Sequence, residues 1–169
     1  MKPFTKSLKF KAFAVIFAFA FFASCITPRH TVEINEYILM PNGKQVLGHE
    51  KGLTAYIFEN NQRKIPFNQF VGDKYRSGSY VDVEYNVTLQ DTRFKVYIYE
   101  NAELEKYFDT GQFMVSNVEA DTNIIGSKAR FIAVSVVDDY NNDALAENSL
   151  YKNIVINYLR NLVKDYNNS

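Results

Sequence analysis

Val81-Asp82-Val83-Glu84-Tyr85-Asn86-Val87-Thr88-Leu89 alternates apolar and polar residues over nine positions, and Phe94-Lys95-Val96-Tyr97-Ile98-Tyr99 takes the pattern up again. A strand turns successive side chains to opposite faces. Val81, Val83, Tyr85, Val87 and Leu89 therefore share one face, and Asp82, Glu84, Asn86, Thr88 and Gln90 the other. Asp91-Thr92 reads as a two-residue turn. That register sets Leu89 opposite Phe94, Val87 opposite Val96 and Tyr85 opposite Ile98. Phe94, Val96 and Ile98 extend the apolar face; Lys95, Tyr97 and Tyr99 extend the other. A hairpin with one apolar face needs a cover.

The clearest helix lies at the far end of the chain. Tyr151, Ile154, Val155, Tyr158, Leu159, Leu162 and Tyr166 fall on one stripe at helical spacing. Asp143 is the expected cap. Glu147 near the start, with Arg160 and Lys164 near the end, suits the helix dipole. Arg130 to Val137, Leu53 to Glu59 and Phe113 to Val118 read as further strands. Glu33 to Met40 is extended, Met40-Pro41-Asn42-Gly43 is a turn, and Lys44 to Leu47 is its return arm. Pro66 to Val71 reads as a short helix with Gly72 past its end. Asn101 caps a second, running to Asp109. Asp121 to Ser127 reads as a loop. The expected fold is α+β: a mainly antiparallel sheet, a long C-terminal helix packed on one face, and two short helices.

The first 25 residues stand apart. Lys2, Lys6, Lys9 and Lys11 precede an uncharged run from Ala12 to Ala23 that is rich in Phe and Ala, and Phe22-Ala23-Ser24-Cys25 closes it. A basic head, a short apolar middle and small residues before a cut site make an export signal. Cys25 is the only cysteine, so no disulfide within the chain is available to it. The stretch resembles the lipobox of bacterial lipoproteins; Phe22 stands where Leu is usual, a position at which Bacteroidota-type lipoproteins are looser. The resemblance implies cleavage between Ser24 and Cys25 and lipidation of Cys25. It divides the chain into a signal peptide (1–24), a tether (25–32) and a single α+β domain (33–169). Ile26 in place of an Asp retention signal implies the outer membrane, with the inner membrane as the alternative. Ile26-Thr27-Pro28-Arg29-His30 lacks the acidic run of surface-exported relatives, which implies a domain facing the periplasm. Two other readings are ordinary secretion after a signal peptidase I cut and an uncleaved anchor. The run from Ala12 to Thr27 is short of the ~20 residues a membrane helix needs.

Without the signal, 15 basic residues face 19 acidic ones, a net charge of −4. Scattered charge of this sign argues against nucleic acid, which needs a concentrated basic patch. The membrane is met through the lipid, since no polybasic segment grips anionic headgroups. No repeat occurs.

Catalytic patterns are sparse. His49-Glu50-Lys51-Gly52-Leu53 supplies half a zinc-protease motif, with Leu53 where the second His belongs. Asp139, Asn141 and Asp143 alternate oxygens as a calcium loop does. Ala144 replaces the turn Gly, and Leu150 stands where the bidentate Glu should be. The competing reading is an acidic strand-to-helix loop. No Gly-x-Ser-x-Gly elbow or phosphate-binding Gly-rich loop occurs. No cofactor is expected. Tyr97 and Tyr99, pointing together away from Phe94, are the candidate partner platform; the alternatives are that the C-terminal helix covers this face, or that single exposed tyrosines carry no role. These readings favour a lipid-anchored envelope protein that binds a protein partner and is not an enzyme. The alternatives are a small-ligand module with a Tyr- and Phe-lined cleft between sheet and last helix, and a carboxylate-based hydrolase.

Overall fold

The computed structural model describes residues 33–41, 43, 52–81, 83–111, 113 and 129–169. Among these residues five strands and three helices follow one another: β1 (Ile38–Met40), β2 (Ala55–Glu59), α1 (Phe67–Tyr75), β3 (Glu84–Leu89), β4 (Thr92–Glu100), α2 (Asn101–Tyr107), β5 (Phe131–Asp138) and α3 (Lys152–Asn168). The sheet runs β1-β2-β5-β4-β3, and every neighbouring pair is antiparallel. The class is α+β, with the long helix on one face.

β5 enters last and takes the middle. All eight of its residues are buried, which accounts for its nearly unbroken apolar run. Phe94, Val96 and Ile98 of β4 join Ile132, Val134 and Val136 of β5, and Tyr56 and Phe58 of β2, on one face. Val155, Leu159, Leu162 and Tyr166 of α3, with Phe67 and Val71 of α1, close that face. The apolar stripe of α3 is where its sequence spacing puts it.

The opposite face is also covered. Ala55, Ile57, Tyr97, Tyr99, Phe131 and Ala133 pack under Leu104 of α2 and under Phe108, Phe113, Ile34 and Leu53. Tyr97 and Tyr99 do share a side, but they are only 6% and 1% exposed. The exposed platform is thus corrected: Tyr99 lies under Tyr107 and Phe108, with ring centroids 5.7 and 5.9 Å away.

The β3–β4 register is shifted from expectation. Val87 pairs with Phe94, Tyr85 with Val96 and Leu89 with Thr92. The turn is therefore Gln90-Asp91, with φ of 47° and 64°. Strand twist favours a turn with two positive φ values, which Asp tolerates and β-branched Thr92 resists. A slip of two residues keeps every side chain on its expected face. Val81 alone leaves the pattern; it precedes β3 and is 72% exposed.

Three boundary expectations are corrected. Gly72 lies inside α1, which ends at Arg76 in the left-handed region. Gly72 is small because Tyr80 rests on it: a Cβ there would come 2.7 Å from the Tyr80 ring. Asp143 does not cap α3, which begins nine residues later; its carboxylate holds the loop before the helix. At α2, Asn101 is the first helical residue, and Glu100 occupies the cap position. β1 pairs with β2, and the Gly43 amide still donates to the Leu53 carbonyl at 3.2 Å. The return arm 44–47, residues 114–118 of the expected strand, the loop 121–127 and the signal with Ser24 and Cys25 lie outside the described residues. Among the described residues no helix is long and apolar enough to cross a membrane.

Candidate ligand groove

α3 buries one stripe and leaves its flank for other work. Arg160, Asn161, Val163, Lys164, Asn167 and Asn168 succeed one another at helical intervals beside the buried Leu159, Leu162 and Tyr166. With Glu36 and Tyr56 they line a groove of about 440 Å³. Glu36 stands just before β1; Tyr56 is on β2 and points toward the α3 face of the sheet. The groove thus lies between the sheet and the last helix.

Tyr56 gives the groove its chemistry. Its ring stacks on Tyr37, with centroids 4.4 Å apart and planes 14° from parallel. The residue is fully buried, and its hydroxyl has no hydrogen-bond partner among the described residues. A buried hydroxyl left unmatched costs about 1–3 kcal/mol. Burial raises its pKa well above the phenol range; the charge of Glu36 and the Tyr37 phenol push the same way, and Arg160 pulls back. At ordinary pH it is a neutral group that both donates and accepts.

Glu36 and Arg160 form a bidentate pair: Nε donates to Oε1 at 2.8 Å and Nη2 to Oε2 at 2.9 Å. Both side chains are about half exposed, so water weakens the pair. Lys164 has no ion-pair partner among the described residues. Among the described residues the groove holds one carboxylate, two cations and three carboxamides.

A second polar cluster holds the fold. Tyr158 donates to the Tyr75 hydroxyl at 2.9 Å and meets the Tyr85 hydroxyl at 2.6 Å, while Tyr75 and Tyr85 stack at 4.2 Å. Burial raises the pKa of Tyr158 and Tyr85, so both stay protonated. The three phenols pin α1, β3 and α3 together. Each has a partner, so the cluster offers nothing unmet to a ligand.

The other candidate residues are occupied or apart. Asp143 accepts from the Thr54 amide at 2.7 Å and the Leu145 amide at 2.9 Å. Asp138 accepts from the amides of Tyr140 and Asn142 and from the Asn142 side chain. Asp139 and Asn141 are exposed, and Asn141 has a φ of 60°. The loop's carboxylates fasten it to β2 and to itself. Among the described residues no three His, Cys, Asp or Glu side chains gather as metal ligands. His30, His49 and Glu50 lie outside the described residues, as does Cys25.

The sequence predicts a cleft between sheet and last helix lined by Tyr and Phe; the described lining of this groove holds one Tyr and no Phe, because the other rings on this side pack into the core. Glu36 and Arg160 are 124 positions apart. The available signal was the run of Asn and basic residues flanking the α3 stripe. Comparison with known protein families, curated proteins and solved structures finds no match for this chain.

Proposed function

We propose that the chain is a lipid-anchored protein of the bacterial envelope, fastened through Cys25 to the outer membrane, with a periplasm-facing domain that binds a small ligand without catalysis. The observation that carries the binding role is the buried, unmatched Tyr56 hydroxyl at a groove lined by hydrogen-bonding side chains. Protein interiors seldom leave such a group unpaired. The lining fits a non-catalytic role: its one carboxylate among the described residues, Glu36, is held by Arg160, and paired-carboxylate hydrolysis needs two. The anchor rests on the lipobox resemblance. Native mass spectrometry of protein extracted from its membrane in mild detergent tests the reading. A small molecule released on denaturation, and absent from Tyr56→Phe, is expected. Extraction with no bound mass in repeated preparations contradicts it.

A second reading is a protein partner held at the loop between β5 and α3. Tyr140 and Leu150 there are 85% and 93% exposed on a loop tied down by Asp138 and Asp143. Crosslinking in membranes separates the two: a stoichiometric partner lost with Tyr140→Ser and Leu150→Ser supports this one.

A further inference from the structure

We infer that the groove takes a sugar acid: a compact, polyhydroxylated ligand carrying one carboxylate. The inference rests on the small-ligand reading above and names the class of ligand. Asn161, Asn167, Asn168 and Tyr56 can each donate and accept, as a sugar hydroxyl does. Val163, the Tyr56 ring and the alkyl stems of Arg160 and Lys164 add an apolar floor, against which the face of a sugar ring can rest. The volume of about 440 Å³ suits a ligand of one or two rings.

The charge balance fixes the acid. Arg160 and Lys164 outnumber Glu36 by one. The carbonyl end of α3 disfavours an anion beside Asn167 and Asn168. The ligand carboxylate therefore sits up the helix, at Arg160 and Lys164, and its hydroxyls face the carboxamides nearer the end. Glu36 now holds the position that carboxylate takes, gripping Arg160 with both oxygens. Its pair with Arg160 is exposed and readily exchanged. The Tyr56 hydroxyl is closed to solvent and has no partner among the described residues, with Glu36 seated on Arg160. Once the ligand carboxylate holds Arg160, the freed Glu36 side chain and the ligand's hydroxyls can reach that phenol.

Calorimetric titration of the full chain in detergent, first stripped of ligand by unfolding and refolding, tests this with three probes: glucuronate, glucose and a trimer of galacturonate. Glucuronate is expected to bind about tenfold or more tightly than glucose. Tyr56→Phe is expected to weaken glucuronate about fivefold or more, with the fold kept. Glu36→Gln removes the competing carboxylate and is expected to tighten glucuronate severalfold. A trimer that outbinds the monomer assigns the source to a chain of acidic sugars, and equal binding assigns it to the free sugar acid. Glucose binding as tightly as glucuronate overturns the sugar-acid class. So does silence from all three probes while native protein still carries a mass that Tyr56→Phe loses; the groove then stands and its ligand class falls. Silence together with an empty native protein overturns both.

Discussion

Tyr56 and Tyr166 invite the same substitution, and the structure assigns it opposite signs. Both are fully buried on the α3 side of the sheet. The Tyr166 hydroxyl donates among the Ile65 carbonyl at 2.9 Å, Asn60 Oδ1 at 3.1 Å and the Asn61 carbonyl at 3.4 Å. Its ring stands edge-on to Phe67, with centroids 5.1 Å apart. Tyr166→Phe keeps the ring and strands buried acceptors, which costs about 1–3 kcal/mol. The Tyr56 hydroxyl has no partner to strand. Tyr56→Phe removes a group that is already unmatched, and its ring still stacks on Tyr37. The ligand-free protein should therefore gain up to about 1 kcal/mol, less than the full penalty because the surroundings relax. Urea unfolding of refolded, ligand-free protein reads both signs from the midpoint at unchanged slope. Tyr166→Phe should lower the midpoint, and Tyr56→Phe should hold or raise it. A Tyr56→Phe variant destabilised by about 1 kcal/mol or more would show that the hydroxyl is satisfied in solution, and the groove would lose its reason.

Three further substitutions probe the frame. Glu100 accepts from the Asn68 amide in the first turn of α1, and burial raises its pKa while that bond lowers it. The folded protein then holds this proton more tightly than the unfolded chain, so stability falls as pH rises through the window above the ordinary carboxylate value. Glu100→Gln should flatten that slope in urea midpoints taken from pH 4 to pH 7, and a stability difference independent of pH refutes the assignment. Gly43→Ala drives a Cβ into the buried Phe108 ring and should cost about 1–3 kcal/mol by thermal unfolding. Replacing Gln90-Asp91 with Asn-Gly fits a turn with two positive φ values and should stabilise by roughly 0.5–1 kcal/mol; a loss would point to the other register.

Much of the frame was legible because it follows from period. Alternation from Val83 to Leu89 and from Phe94 to Tyr99 fixed which side chains share a face, and the α3 stripe fixed what covers one of them. The turn was misplaced by one residue, and the pairing with it by two, because period carries parity and not position; backbone sign at Gln90 and Asp91 decides that. The cover over Tyr97 and Tyr99 was not legible. It comes from α2, Phe108 and Phe113, and from Ile34 and Leu53 far back in the chain. Asp143 was misjudged because a carboxylate before a helix resembles a cap, whereas this one meets the Thr54 amide just before β2. The groove depends on Glu36, Tyr56 and Arg160 meeting across the fold, which no local pattern records. Tyr56 in particular looked like one more strand aromatic. Its missing partner shows only when its neighbours are in place.

The account places the domain at a membrane through a single sulfur, so the intact mass of the protein recovered from envelope fractions is the most direct test. The predicted result is a chain that begins at Cys25 and carries the added mass of a diacylglyceryl group, with or without a further acyl chain. A chain beginning elsewhere, or an unmodified Cys25, contradicts it.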